Sequence, residues 1–319
     1  MERHPRDSFC LVTKMPLRDF KDEADLQTIF DEQLRNCGVT VFDYYLLHNF
    51  QTRWYDDYDG NGGVIQSEHL IEHALKWKAE GKIKHLGFSF HSSAKLLDRI
   101  LTEHPEFEFV QIALNYLDWN SQLVQAGPCY EVIRRHGKQV VAMEPVKGGG
   151  LAIVPEAVEK VLKEKDPARS VASWAIRFVG SLDGLVCCLS GMSTPEQVDD
   201  NIRSYQELQP ISETEQRWLT NDVAALYRAQ GPVKNMSRYE GLTLYGAPVT
   251  AIMESYSICQ IQPDPGFCCD NNYLLNTIAE EAHLNFAEEL PRQTLINKNG
   301  VDVAEEVYVA YEWLRENTF

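Results

Sequence analysis

An ammonium group, two imidazoles and a set of hydrogen-bonding groups stand at the ends of short apolar runs in this sequence. They are Lys14, His48, Ser89 with His91, Asn115, Glu144, and Gly191 with Ser193. Groups of these types orient polar substrates and stabilise or move charge. Taken singly, each has a plain structural reading. Lys14 reads as a solvated lysine at a strand end, His48 as a hydrogen-bonded structural histidine, and Ser193-Thr194-Pro195-Glu196 as a helix cap. The backbone at Gly191-Met192-Ser193, followed by a helix start near Thr194, also suits an anion, because unpaired N–H groups and the helix dipole converge there.

Metal chemistry has less behind it. The eight cysteines are Cys10, Cys37, Cys129, Cys187, Cys188, Cys259, Cys268 and Cys269. None forms a Cys-x-x-Cys pair, so the usual zinc and ferredoxin spacings are absent. Reduced thiols, several of them buried, are expected. Cys259 with Cys268-Cys269 is the one place to look for a metal.

The elements that must carry the polar residues alternate along the chain to about residue 230. Apolar runs predict strands at Phe9 to Lys14, Val41 to His48, Leu86 to Phe90, Phe109 to Asn115, Gln139 to Glu144 and Leu185 to Leu189. Helical spacing predicts helices over Leu26 to Leu34, Ser67 to Glu80, Ala94 to Leu101, Cys129 to Arg135, Val171 to Val179, and from Thr194 onward. Strands this apolar, each followed by an amphipathic helix, indicate a parallel sheet covered by helices. A closed barrel builds its site at the C-terminal ends of its strands, where the polar residues collect. A doubly wound nucleotide fold wants Gly-x-Gly-x-x-Gly after its first strand, and no such run is present. The expected fold is therefore a TIM-type (β/α)8 barrel that is incomplete, with about six units of the eight and the first two strands missing. Residues 1–229 are assigned to it. Residues 230–319 read as a C-terminal, mostly helical satellite with helices at Leu274 to Glu289 and Val303 to Leu314.

Composition narrows the function classes. The net charge of -17 argues against a nucleic-acid partner, which needs a basic footprint. No apolar run approaches the roughly 18 residues of a membrane span, and Met1 to Asp7 do not read as a signal peptide. A cytoplasmic location with no membrane partner is expected.

Several motifs, in order, carry a resemblance. Leu11-Val12-Thr13-Lys14, Phe42 to His48, Gly81 to Ser89, Val110-Gln111-Ile112 with Asn115-Tyr116, Met143-Glu144-Pro145 with Gly148-Gly149, and Ser190 to Asn201 resemble successive strands and the nucleotide-phosphate loop of the aldo/keto reductases. The versions here are most like bacterial members that usually carry a C-terminal iron–sulfur ferredoxin module. The resemblance implies hydride transfer from NADH or NADPH to a small-molecule carbonyl substrate. It assigns Lys14 the role of lowering the pKa of a proton-donating tyrosine, and His48 that of orienting the carbonyl oxygen. It places the cofactor on Ser89, Gln111 or Asn115, Glu144, Gly191, Ser193, Gln197 and Asn201. The family's first two strands, with the catalytic Asp and Tyr, have no counterpart in these residues. Tyr55 and Tyr58, in the loop after His48, are free to reach the site, as a substrate wall or as a substitute acid. The ferredoxin cysteines are missing too, so no iron–sulfur cluster is expected. Where NADPH-specific relatives use a lysine and an arginine on the 2′-phosphate, this sequence has Gly191 and Gln197, which makes NADH at least as good a ligand. The alternatives are a non-catalytic barrel remnant that binds a nucleotide or a partner, and a fragment of a longer enzyme.

Overall fold

The computed structural model describes residues 3–17, 22–56, 63–206, 208–262, 273–274, 278 and 290–317. Six strands form one sheet in chain order: β1 (Val12–Met15), β2 (Phe42–Phe50), β3 (Ile83–Phe90), β4 (Phe109–Ala113), β5 (Gln139–Met143) and β6 (Leu185–Cys188). The pairs from β1 to β4 are parallel in register. Helices cross between strands, among them α1 (Glu23–Cys37), α2 (Leu70–Ala79), α3 (Ala94–Glu103), α4 (Ala126–Arg135), α5 (Glu156–Lys165) and α6 (Val171–Gly180), with α7 (Pro195–Gln206) after β6. Six of the eight strands of a closed barrel are thus present among the described residues. Contacts divide the chain into two compact units. One is residues 1–112 with 130–141, the other residues 113–129 with 142–319.

In the first unit, the helix ends follow local chemistry. The Asp22 side chain accepts the Ala24 N–H and caps α1, and Gly38, at φ 63°, turns the chain out after Cys37. Leu26 and Phe30 of α1 are fully buried. Phe30 stacks on Trp77 of α2 with ring centroids 4.0 Å apart, and the Trp77 indole N–H donates to Gln27 at 2.8 Å. Tyr45 of β2 points toward these helices and donates its hydroxyl to Gln33 at 2.7 Å, as strand alternation requires if His48 faces the other way. Gly87 lies opposite Phe109, where a Cβ would sit 2.4 Å from the Phe109 carbonyl oxygen. Only glycine lets β3 and β4 approach there. The helix expected over Ser67 to Glu80 is broken: a short turn covers Val64–Ser67 and α2 begins at Leu70. His69, at φ 52°, is left-handed, and a continuous helix cannot pass through it.

In the second unit, Ser170 caps α6 by accepting the Ser173 N–H. A helical run over residues 213–228 passes through a π-type segment at Trp218–Val223. It is followed by the hairpin β7 (Thr243–Leu244) and β8 (Ala247–Pro248), then α8 (Val249–Ile261) and α9 (Ala304–Glu316). α9 matches the expected C-terminal helix. α8 was not expected. It buries Val249, Ala251, Ile252, Met253, Ser255, Ser257, Ile258 and Cys259, so it is covered on every side and shows no polar stripe for periodicity to detect. The helix expected over Leu274 to Glu289 lies largely outside the described residues.

The charge at the start of β2 offers a stability test. Asp43 is buried and accepts the Leu11 N–H at 2.8 Å, Lys84 at 2.7 Å and Arg6 at 2.6 Å. Burial alone would raise its pKa. The three donors outweigh burial and hold the carboxyl far below the usual carboxylate range. A depressed native pKa stabilises the fold above the unfolded value of about 3.9 and loses that contribution as pH falls below it. Asp43→Asn should therefore cost about 1–3 kcal/mol at neutral pH. Urea denaturation should show the gap between variant and parent closing once the pH drops below about 4.

Candidate active site

In the first unit, register brings the candidate residues together. Lys14 pairs with Leu46, so His48 lies two residues further along the neighbouring strand and on the same face. The β2–β3 register shifts between Leu47 and Phe50. Asn49 sits at φ 62° in this irregularity, and its N–H donates to the Ser89 hydroxyl at 2.8 Å. A shift of this kind re-aims the adjacent side chain, here His48. The His91 N–H donates to the Phe50 carbonyl at 3.1 Å, which places the His48 and His91 rings 6.5 Å apart and nearly perpendicular. Ser89 pairs in register with Gln111, and both are buried.

Electrostatics link the three basic groups. Lys14 is half-buried, which lowers its pKa, and its ammonium has no hydrogen-bond or ion-pair partner among the described residues. His91 is pushed down to about 3 by burial, then by His48 and Lys14, so its ring is neutral at pH 7.

Tyr55 does not belong to this group. Its ring is fully buried against Phe50 and His104, and its hydroxyl bonds the Glu103 carboxylate. Burial, then Glu103, raises its pKa far above the ordinary value, which makes it a worse acid. The expectation of a free loop tyrosine fails here because Tyr55 falls in a helical turn, Thr52–Tyr55, that folds onto the core. Tyr58 lies outside the described residues.

In the second unit, Asn115 is committed to structure. Its Nδ2 donates to Asp118 at 2.8 Å and to the Glu144 carbonyl at 3.2 Å, and its Oδ1 accepts the Asp118 N–H at 2.9 Å. The Lys147 ammonium donates to both Asp118 oxygens at 2.8 Å, and both side chains are about 2% exposed. Glu144 and Lys147 are left-handed, at φ 54° and 48°. This buried network ties the loop after β4 to the loop after β5. Sequence reasoning missed Asp118 and Lys147. The two lie 29 residues apart in the sequence, and only the fold shows that they meet.

At the start of α7, the Gln197 side-chain oxygen accepts the Ser193 N–H at 2.7 Å and the Thr194 N–H at 3.3 Å. Asn201 donates to the Ser190 hydroxyl at 2.7 Å and so holds the loop against the helix. Gly191 is exposed, and a Cβ there would meet nothing within 4 Å. Cys259 is buried in α8, and Cys268 and Cys269 lie outside the described residues. Among the described residues no helix is long and apolar enough to cross a membrane.

Removing one member of the Asp118–Lys147 pair leaves a buried charge without a counter-ion. Lys147→Met should destabilise the protein by about 3–5 kcal/mol. Lys147→Met combined with Asp118→Asn should cost clearly less than the two single losses added together. Urea unfolding of the four proteins of this cycle measures it, and strict additivity would show that the pair is not coupled.

The model of the aldo/keto reductase family matches residues 1–217. No curated protein sequence matches the chain. Solved structures do. An aldo-keto reductase from Bacillus halodurans in its holo form superposes with a TM-score of 0.53 at 20% identity, over 68% of this chain and 73% of that one. A thermostable aldo-keto reductase bound to the inhibitor epalrestat gives 0.54 at 17% identity, over 69% and 73%. An aldo/keto reductase from Brucella melitensis gives 0.52 at 21% identity, over 68% and 74%. These likenesses establish the (β/α)8-type fold, and the family match over two thirds of the sequence establishes descent. The chain belongs to the aldo/keto reductase family of NAD(P)-dependent oxidoreductases.

Proposed function

We propose that the chain binds a nicotinamide cofactor and a small carbonyl compound and serves the transfer of a hydride between them. The observation that carries this reading is the placement of Lys14 and His48 on one face of neighbouring strand ends, beside the buried Ser89–Gln111 pair. When bound, the cofactor supplies the hydride. His48 would orient the carbonyl oxygen by a hydrogen bond. Lys14 would stabilise negative charge developing there. Gln111 or Asn115 would hold the carboxamide, the Asn115 amide at the expense of its bonds to Asp118 and Glu144. Glu144 would flank the cofactor from the left-handed turn after β5.

The start of α7 fits a phosphate. Two adjacent N–H groups, of Ser193 and Thr194, already converge on one oxygen atom, that of Gln197. A phosphate oxygen would take the same donors once Gln197 swings away. Gly191 and Gln197 offer no cation to a 2′-phosphate, so NADH should bind at least as well as NADPH. The cysteines lack Cys-x-x-Cys spacing, which speaks against an iron–sulfur cluster, and the acidity of the chain favours no nucleic-acid partner.

Calorimetric titration with both cofactors tests the binding half. Gly191→Lys combined with Gln197→Arg should shift the preference toward NADPH by tenfold or more, since each charge-assisted contact is worth about 1.5–3 kcal/mol. The open space around Gly191 admits the longer side chain. A tenfold NADPH preference in the unaltered chain would overturn the reading of this loop.

The second reading, a barrel that binds without catalysing, is favoured by the burial of Tyr55 and its bond to Glu103, which leave it unsuited to act as a substitute acid. Loss of a general acid costs roughly 10²–10⁴ in rate. Lys14→Met and His48→Ala should then change aldehyde reduction by the 319-residue chain only slightly. Steady-state assays with excess NADH decide it. Ordinary turnover abolished by Lys14→Met would show that another group supplies the proton.

A further inference from the structure

The stretch from Leu114 to Gln125, between β4 and α4, contains neither helix nor strand, yet Asn115, Tyr116, Leu117, Asp118, Leu123 and Val124 are buried. An irregular segment that is buried must hand its backbone groups to partners, since water cannot serve them. Some ties are internal. The Ser121 hydroxyl accepts the Leu123 and Val124 N–H groups at 3.2 and 3.3 Å. Others come from far along the chain. The Arg228 guanidinium donates to the Leu117 carbonyl. Glu254, on α8, accepts the Gln122 side chain at 2.7 Å and the Ser121 hydroxyl at 3.4 Å. The Thr220 carbonyl and the Asn221 side chain, both in the π-type segment, accept the Asn120 amide at 3.2 and 3.1 Å. Arg228 Nε lies 3.7 Å from the Glu254 carboxylate, and both side chains are largely buried, so each serves the other as counter-charge. These distant partners all lie beyond residue 217, where the family match ends.

We propose that Arg228 and Glu254 are positioning residues for the nicotinamide end of the cofactor, holding the loop after β4 while Asn115 exchanges its protein partners for the carboxamide. The inference rests on the cofactor reading proposed above. Asn115 ties the loop to Asp118 and to the Glu144 carbonyl. A carboxamide that takes the same amide breaks those ties at the moment when the loop must stay ordered. The bond from Arg228 to the Leu117 carbonyl and the bonds from Ser121 and Gln122 to Glu254 do not pass through Asn115. They keep the loop fixed through the exchange, so less order has to be created on binding. The start of α7 has its own support, the bond from Asn201 to Ser190, and does not draw on this clasp. A ligand without nicotinamide is therefore indifferent to Arg228 and Glu254.

The test compares NADH with ADP-ribose, which carries the same adenosine and pyrophosphate without nicotinamide. Calorimetric titration uses the 319-residue chain and the double variant Arg228→Met with Glu254→Gln, which leaves neither buried charge alone. The double variant should bind NADH at least tenfold more weakly than the unaltered chain, and ADP-ribose within threefold of it. Arg228→Lys, which keeps the charge and a donor beside Glu254, should lose clearly less of the NADH affinity. Hydrogen exchange reads the loop with no ligand present. The Leu123 and Val124 amides should exchange at least tenfold faster in the double variant, with its far-UV circular dichroism unchanged. Should the double variant fail to fold, Gln122→Ala, at an exposed position, removes one contact of Glu254 and should weaken NADH about threefold with ADP-ribose unaffected. Equal losses for the two ligands, no loss for either, or unchanged exchange would overturn the proposal. An unaltered chain that binds neither NADH nor ADP-ribose overturns the cofactor reading and, with it, the role given to Asn115. An unaltered chain that binds both, with a variant that weakens both alike, overturns the clasp alone.

Discussion

Parallel pairing of β1 with β2 and of β2 with β3 is the constraint on which the candidate residues of the first unit depend. Period-two alternation turns the β1–β2 register, Lys14 opposite Leu46, into a statement about which side chains share a face, because it puts His48 on the face of Lys14 and sends Tyr45 to the helices. The β3–β4 register repeats the effect with Ser89 opposite Gln111. A slip of one residue would exchange every inward group for an outward one. The slip is resisted from outside the sheet, where Phe30, Trp77 and Tyr45 interlock and Gln27 and Gln33 satisfy the buried polar atoms of Trp77 and Tyr45. It is resisted at the bottom by Asp43, which ties β2 to Leu11, Arg6 and Lys84.

The second unit solves a different problem. Its loops after β4 and β5 contain left-handed residues with side chains, Glu144 and Lys147, each carrying local strain. The Asn115–Asp118–Lys147 network holds them. The segment beyond the family match adds to the brace. Tyr227 donates to the Gly150 carbonyl at 3.1 Å, Arg228 bonds the Leu117 carbonyl, and Gln122 donates to Glu254 at 2.7 Å. The C-terminal helices therefore act on loops at the C-terminal ends of the strands, where this fold builds its sites.

The alternation of strands and helices, and the polar residues at strand ends, were legible because short-range pattern encodes them. Lys14, His48, Ser89 and Gln111 could be named from motifs, and the structure places them at neighbouring strand ends. What was not legible depends on distant partners. Asn115 looked like a ligand-binding amide, yet its partner Asp118 is itself fixed by Lys147, 29 residues on. Tyr55 looked like a free loop aromatic, yet Glu103, 48 residues on, takes its hydroxyl. α8 escaped because a helix buried on all sides carries no amphipathic signal.

Under the proposed reading, Gln197 would serve both the folded chain and a nucleotide ligand. Unpaired N–H groups at a helix start seek an acceptor, and here a neutral amide oxygen from the first turn supplies it. A phosphate bound there would have to displace that oxygen, so part of its binding free energy would be offset by breaking the cap, worth about 0.5–2 kcal/mol where caps have been removed. A charged acceptor still wins the exchange, since hydrogen bonds to an ion are roughly twice as strong as neutral ones. Asn201, bonded to Ser190, keeps the loop in place while Gln197 moves. The loop is thus ordered in the absence of a nucleotide, which would reduce the ordering entropy of binding at the expense of a modest competition. An arginine at position 197 would remove the competing acceptor and add a cation in one step, so under the proposed reading that single position would weigh on both the strength and the selectivity of nucleotide binding.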